Sequence, residues 1–110
     1  NSNITDEERS QIRRLDPSNK KWRKSILKRD KYTCQITGKQ GALAVHHLES
    51  WHANKNLRYN IDNGITLLQS VHKAFHLKYG HKNNTKKQFE EFILSLTNED
   101  KNAFSVLPTK

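Results

Sequence analysis

Apolar positions along the chain fall into short periodic runs, and each run predicts one element. Ile4, Ile12 and Leu15 give a thin apolar edge to a helix over about residues 6 to 15, opened by the capping-box pattern Thr5-x-x-Glu8. Asp16-Pro17 restarts the chain, and the next helix, to about Arg29, carries Trp22, Ile26 and Leu27 on one side. Trp22 and Ile26 are read as core. Tyr32 to Ile36 alternates, with Tyr32, Cys34 and Ile36 on one face, which predicts a strand. Gly38 to Gly41 turns the chain and Leu43 to His47 returns as a second strand, closing a hairpin.

Leu48 to Gly64 has no clear period, and irregular segments of that length in small domains are mostly functional or mobile. Leu67 to Tyr79 resumes a helical pattern, with Val71, Phe75 and Tyr79 as its stripe and Gly80 as its C-terminal cap. Thr85-x-x-Gln88 opens a further helix, to about residue 97, with Phe89, Phe92, Ile93 and Leu96 at helical spacing. Asn98 onward is polar, and Pro108 to Lys110 is expected to fray. The pattern predicts an α+β chain: a two-stranded antiparallel hairpin and a helix, flanked by N-terminal helices within 5–30 and a C-terminal helix at 85–97.

Length changes little beyond this: 110 residues make one domain, 1–110. Hydrophobic content of 33% and mean hydropathy of −0.99 predict a thin core, one that a metal or a bound partner would help hold. Charge changes more. A net +9 and pI near 9.9 point to a polyanionic partner, nucleic acid by default. The charge is also uneven, with nine basic residues between Arg13 and Lys31, while Glu90, Glu91, Glu99 and Asp100 lie toward the other end. No apolar run is long enough to cross a bilayer and no signal-peptide pattern opens the chain, so a cytoplasmic location and no membrane partner are expected. A single cysteine, Cys34, excludes an internal disulfide. Opening at Asn1 without Met, the chain reads as a processed or excised piece.

The candidate chemistry is histidine chemistry. Between Leu43 and Tyr79 lie His46, His47, His52, His72 and His76, five of the six histidines. Neighbouring side chains of a strand point to opposite faces, so His46 and His47 can do different jobs. His72 and His76 stand one helical turn apart and can share one metal ion. Taken alone, H-x-x-x-H also describes two solvated surface histidines. Asn63-Gly64, between the two histidine groups, can be a turn, a tether for the long segment, or both. His52 and His81 are read as surface histidines, and Asp62 as a turn residue.

A His-His at a strand end, an Asn-Gly loop and H-x-x-x-H on a helix, in that order, resemble the HNH, or ββα-metal, nuclease signature, with a histidine pattern similar to that of colicin nuclease domains. The runs WRKSILKRDKYTCQITGK, VHHLESW, LRYNIDNGITL, HKAFHLKYG and NNTKKQFEEF, from Trp22 to Phe92, resemble phage-encoded and homing-type HNH endonucleases. The resemblance implies a core motif over 32–79, His47 as general base, Asn63 as the middle signature residue, His72 as the last, and His46 and His76 as further metal ligands. It implies a metal-dependent endonuclease that cuts double-stranded DNA to 5′-phosphate and 3′-hydroxyl ends, encoded by a phage or mobile element and acting in a bacterial cell. One such site cuts one strand at a time, so double-strand cleavage would need a homodimer or two encounters.

Within that reading, Arg58 and Lys73 are placed to grip phosphates near the cut, and Arg23, Lys24, Lys28 and Arg29 to steer the backbone. Three imidazoles suit Zn, Ni, Co or Mn better than Mg, which becomes usable once DNA oxygens complete the site. Many relatives carry two C-x-x-C pairs around a structural zinc. The matching positions here are Cys34, Thr37, Leu68 and Val71, so no structural zinc is expected, and Leu68 and Val71 should pack against Cys34 instead. Three alternatives stay open: a catalytically silent DNA-binding module, a zinc-stabilised interaction domain, and a colicin-like toxin domain needing an acidic immunity partner.

Overall fold

The computed structural model describes residues 16–50 and 55–109. The helix expected over 6 to 15, and His52, lie outside the described residues. Helix α1 spans Pro17–Arg29, opened by Asp16, whose carboxylate accepts from the Ser18 N–H at 2.8 Å, and by Pro17 in the first turn. It buries Trp22, Ile26 and Leu27. Strand β1, Leu43–His47, and strand β2, Gly64–Leu68, pair antiparallel, with Leu43 opposite Leu68 and His47 opposite Gly64. Helix α2, Gln69–Tyr79, follows β2 directly. Helices α3, Lys86–Ser95, and α4, Asn98–Ala103, complete the order. The architecture is α+β, a two-stranded antiparallel hairpin followed by a helix, and among the described residues no helix is long and apolar enough to cross a membrane.

The hairpin is not the one expected from the alternation at Tyr32 to Ile36. Lys31 and Tyr32 take left-handed backbone angles, with φ of 55° and 53°. The next residues close a tight turn, in which the Gly38 N–H donates to the Cys34 carbonyl and the Cys34 N–H to the Lys39 carbonyl. That curl leaves one backbone bond to β2, from the Gln35 N–H to the Thr66 carbonyl. The partner of β1 is β2 instead, and the segment expected to join a strand to a helix is the hairpin's own long connection. It contains two short 3-10 turns, Lys55–Leu57 and Ile61–Asn63. Leu67 and Leu68, expected at the start of the helix, belong to the strand.

Why those two leucines stay extended follows from what they cover. Leu67, Leu68, Val71 and Phe75 form one buried cluster with Cys34, Phe89 and Phe92. The expected packing of Leu68 and Val71 with Cys34 is present, and the thiol is buried and free. Both members of the Thr85 capping box at the start of α3 are formed. A second one, Thr97 with Asp100, opens α4, a helix the polar composition concealed. The tail beyond it does not lie loose: the Ala42 N–H donates to the Val106 carbonyl, and the Thr109 N–H to Gln69 Oε1.

Candidate metal centre and its neighbouring histidine

The pleat of β1 separates its two histidines. His46 is 2% exposed, its ring edge-on to Phe75 with centroids 4.6 Å apart and stacked near Phe89 at 5.3 Å. Opposite that ring, α2 presents His72 and His76 from consecutive turns, with centroids 5.2 Å and 5.6 Å from His46. One ring nitrogen from each of the three lies within 4.8 Å of the others.

Two hydrogen-bonding facts decide what these nitrogens can do. His76 Nδ1 is 2.8 Å from the Gly80 carbonyl. A carbonyl only accepts, so Nδ1 carries the proton, and in the neutral ring Nε2 turns its lone pair toward His72 Nε2, 2.9 Å away. A backbone carbonyl behind the far nitrogen is the usual means of fixing a metal-binding imidazole. Gly80 also accepts from Asn84 Nδ2 at 3.2 Å, and His81 lies flat on His76, centroids 4.5 Å apart.

The second fact concerns His46. Its Nε2 is buried without a hydrogen-bond partner, a costly state for a polar atom in an apolar wall. Burial, and then the charges of His72, His76 and His47, push its pKa down from 6.5 to about 2. It is a neutral imidazole at working pH. A buried, unpartnered nitrogen on a ring beside two further imidazoles fits a cation: nitrogens bound to one ion at about 2.0–2.1 Å in tetrahedral geometry lie about 3.3 Å apart. The His72–His76 spacing needs only a small opening to reach it.

His47, on the other face of β1, is held separately. Its Nε2 is 2.9 Å from the Arg58 carbonyl, so Nε2 is the protonated nitrogen of the neutral ring and Nδ1 the basic one. The ring also lies on the Trp22 indole, with centroids 3.9 Å apart and planes 13° from parallel.

Asn63 connects these parts. It is 5% exposed; Oδ1 accepts from the Glu49 N–H at 2.8 Å, and Nδ2 donates to the carbonyls of Glu49 and Leu57, both at 3.1 Å. The amide's orientation is fixed by its partners, one N–H and two carbonyls. Asn63 thereby ties the residues after β1 to the segment whose next carbonyl, that of Arg58, holds His47. Its influence on the His47 ring runs through this loop.

The basic residues divide. Arg23, Lys24 and Lys28 on α1 and Lys73 on α2 are exposed. Arg58 is half-buried, and its charge helps hold the Asp16 carboxyl below its usual range, after the Tyr59 hydroxyl and Ser18 N–H bonds. Arg29, expected to steer DNA, is exposed as well, but its guanidinium is engaged by groups of the protein itself. Its guanidinium pairs with both oxygens of Asp30 and donates to the carbonyls of Ile61 and Gly64. Burial would raise the Asp30 pKa, but Arg29 and the Thr66 N–H outweigh it and hold the carboxyl low.

Sequence reasoning missed the Gly80 and Arg58 carbonyls, which have no side-chain signature, and the Trp22 stack. A signal for the stack does exist in Gly64. A Cβ there would collide with Ile26 Cδ1 and come within 2.6 Å of Trp22 Cζ2. Comparison of the chain with family models, with curated proteins and with solved structures finds no match.

Proposed function

We propose that the chain is a metal-dependent DNA endonuclease of the HNH, or ββα-metal, class, hydrolysing phosphodiester bonds to 5′-phosphate and 3′-hydroxyl ends. The observation that carries this reading is the adjacency of two arrangements on one strand. His46 contributes an unpartnered nitrogen to a three-imidazole cluster, and His47, next in sequence, has Nε2 tied to a carbonyl and Nδ1 as its basic nitrogen.

His46, His72 and His76 would hold one divalent cation, for which neutral nitrogen donors favour Zn, Ni, Co or Mn over Mg. When bound, the ion supplies Lewis-acid stabilisation of the charge that develops on the phosphate and the departing oxygen. His47 Nδ1 takes a proton from water as that water attacks phosphorus, a contribution worth about 10²- to 10⁴-fold. The Arg58 carbonyl stabilises the resulting imidazolium through its bond to Nε2–H. Asn63 keeps that carbonyl in place. Arg23, Lys24, Lys28 and Lys73 supply exposed positive charge for the DNA backbone, while Arg29 contributes structure.

One observation favours a second reading, a metal-stabilised interaction domain. The His46 ring packs on Phe75 and Phe89, so an ion there would also brace the core. Plasmid nicking with added Mn, Ni or Zn separates the two. The nuclease reading expects metal-dependent nicking by the intact chain and its loss in His47→Ala. Chelation that unfolds the protein, with no nicking under any metal, would favour the second reading.

A further inference from the structure

Trp22 lies outside the metal cluster, yet its indole covers the ring proposed as the base. The indole is 4% exposed, and its Nε1–H donates to the Asn60 carbonyl at 2.8 Å. Asn60 caps the short turn that contains Asn63, accepting from the Asp62 N–H. The indole therefore reaches from α1 to the loop segment whose Arg58 carbonyl holds His47. Gly64 makes room for it: this glycine is the β2 partner of His47, and any side chain there would meet Trp22.

Among the described residues, two constraints of different kind act on the His47 ring. The bond to the Arg58 carbonyl lies in the ring plane and opposes rotation of the ring. The stack on Trp22, at 13° between planes, opposes tilting out of that plane. One comes from the loop and the other from α1. A general base must hold its nitrogen toward the attacking water, and a small misplacement is costly.

We infer that Trp22 is a positioning residue for His47, acting through its flat aromatic face rather than through bulk or its N–H. The inference rests on the nuclease reading for its kinetic consequence and on the stack alone for its structural one. The test compares Trp22→Leu and Trp22→Phe with the intact chain, each loaded with Mn. Trp22→Leu removes the flat face, whereas Trp22→Phe keeps a flat ring and loses the bond to Asn60.

The expected result is a kcat for nicking lowered about 10- to 100-fold in Trp22→Leu, with KM for DNA and the one bound ion unchanged, and a kcat within about threefold of the intact value in Trp22→Phe. Equal losses in both variants, or no loss in either, would overturn it. Should Trp22→Leu fold poorly, Trp22→Phe and Trp22→Tyr decide, since both must retain activity if the face is what matters. The His47 ring protons give a readout free of catalysis. Stacked on an indole, they resonate upfield, and they should move downfield in Trp22→Leu but stay displaced in Trp22→Phe. If the intact chain nicks no DNA, the nuclease reading fails, and those resonances still decide whether Trp22 orders His47. Unchanged shifts in Trp22→Leu would reject the role.

Discussion

His76 Nε2 stands 2.9 Å from His72 Nε2, and the Gly80 carbonyl behind Nδ1 fixes the protonation of the His76 ring. Without an ion, His72 must therefore supply the hydrogen between the two nitrogens. Metal binding has to displace it. The hydrogen passes to the other nitrogen of the same neutral ring, so uptake of Zn or Co near neutral pH needs no net proton release. Affinity should weaken as pH falls and the imidazoles compete for protons, and His76→Ala should lower it by at least about 10-fold. Calorimetric titration at several pH values measures both. Affinity that does not weaken as pH falls, or unaltered affinity in His76→Ala, would place the ion elsewhere.

A second consequence concerns acid. His46 is neutral when folded, with a pKa near about 2, whereas the unfolded chain takes up that proton near the ordinary 6.5. Its contribution to stability is full above the unfolded value and is lost as pH falls from 6.5 toward 2, by up to about 1.4 kcal/mol per pH unit. Urea denaturation of the metal-free protein between about pH 7.5 and 4.5 should show this decline, and His46→Leu should flatten it. An equally steep decline in His46→Leu would assign the acid sensitivity to other groups.

Asn63 is buried with all three of its side-chain bonds made to backbone groups on both sides of the loop. Asn63→Ala should cost about 2–4 kcal/mol, because a buried N–H and two carbonyls lose their partner together. Asn63→Asp should do no better, since a carboxylate would face two carbonyl oxygens. Thermal denaturation checks both; a loss confined to Asn63→Asp would mean that the donor bonds contribute little.

The basic residues should separate by assay. Arg29→Ala removes the bonds to Asp30, Ile61 and Gly64, and should lower folding stability by about 1–3 kcal/mol. Replacing Arg23, Lys24 or Lys28 should leave stability nearly unchanged and reduce the salt dependence of DNA binding, by a log–log slope of about 1 for each phosphate no longer neutralised. Binding isotherms at several salt concentrations give the slopes. DNA binding insensitive to all three would move the nucleic-acid face away from α1.

How far the sequence speaks is visible in particular residues. The spacing of His72 and His76, the caps at Asp16 and Thr85, and the Phe89 and Phe92 stripe are local, and local pattern suffices for them. The packing of Cys34 with Leu68 and Val71 was expected from the resemblance alone, and the three residues do share one buried cluster. The strand partner of β1 was not legible, because Tyr32 to Ile36 alternates as a strand does while positive φ angles at Lys31 and Tyr32 curl it away. Gly64 to Leu68 carries a weaker alternation, masked by burial on both faces. The carbonyls of Gly80 and Arg58 carry no side-chain identity, so their roles emerge only from the folded chain. Arg29 looked like its basic neighbours, and only the carbonyls around it show otherwise.

The most direct measurement is a single titration with Co followed in two ways, by its visible absorption on binding and by nicking of supercoiled plasmid. The account expects both signals to saturate together at one ion per chain, and His47→Ala to bind the same ion while nicking at least about 100-fold more slowly. Bound Co without nicking by the intact chain, or undiminished nicking by His47→Ala, would contradict it.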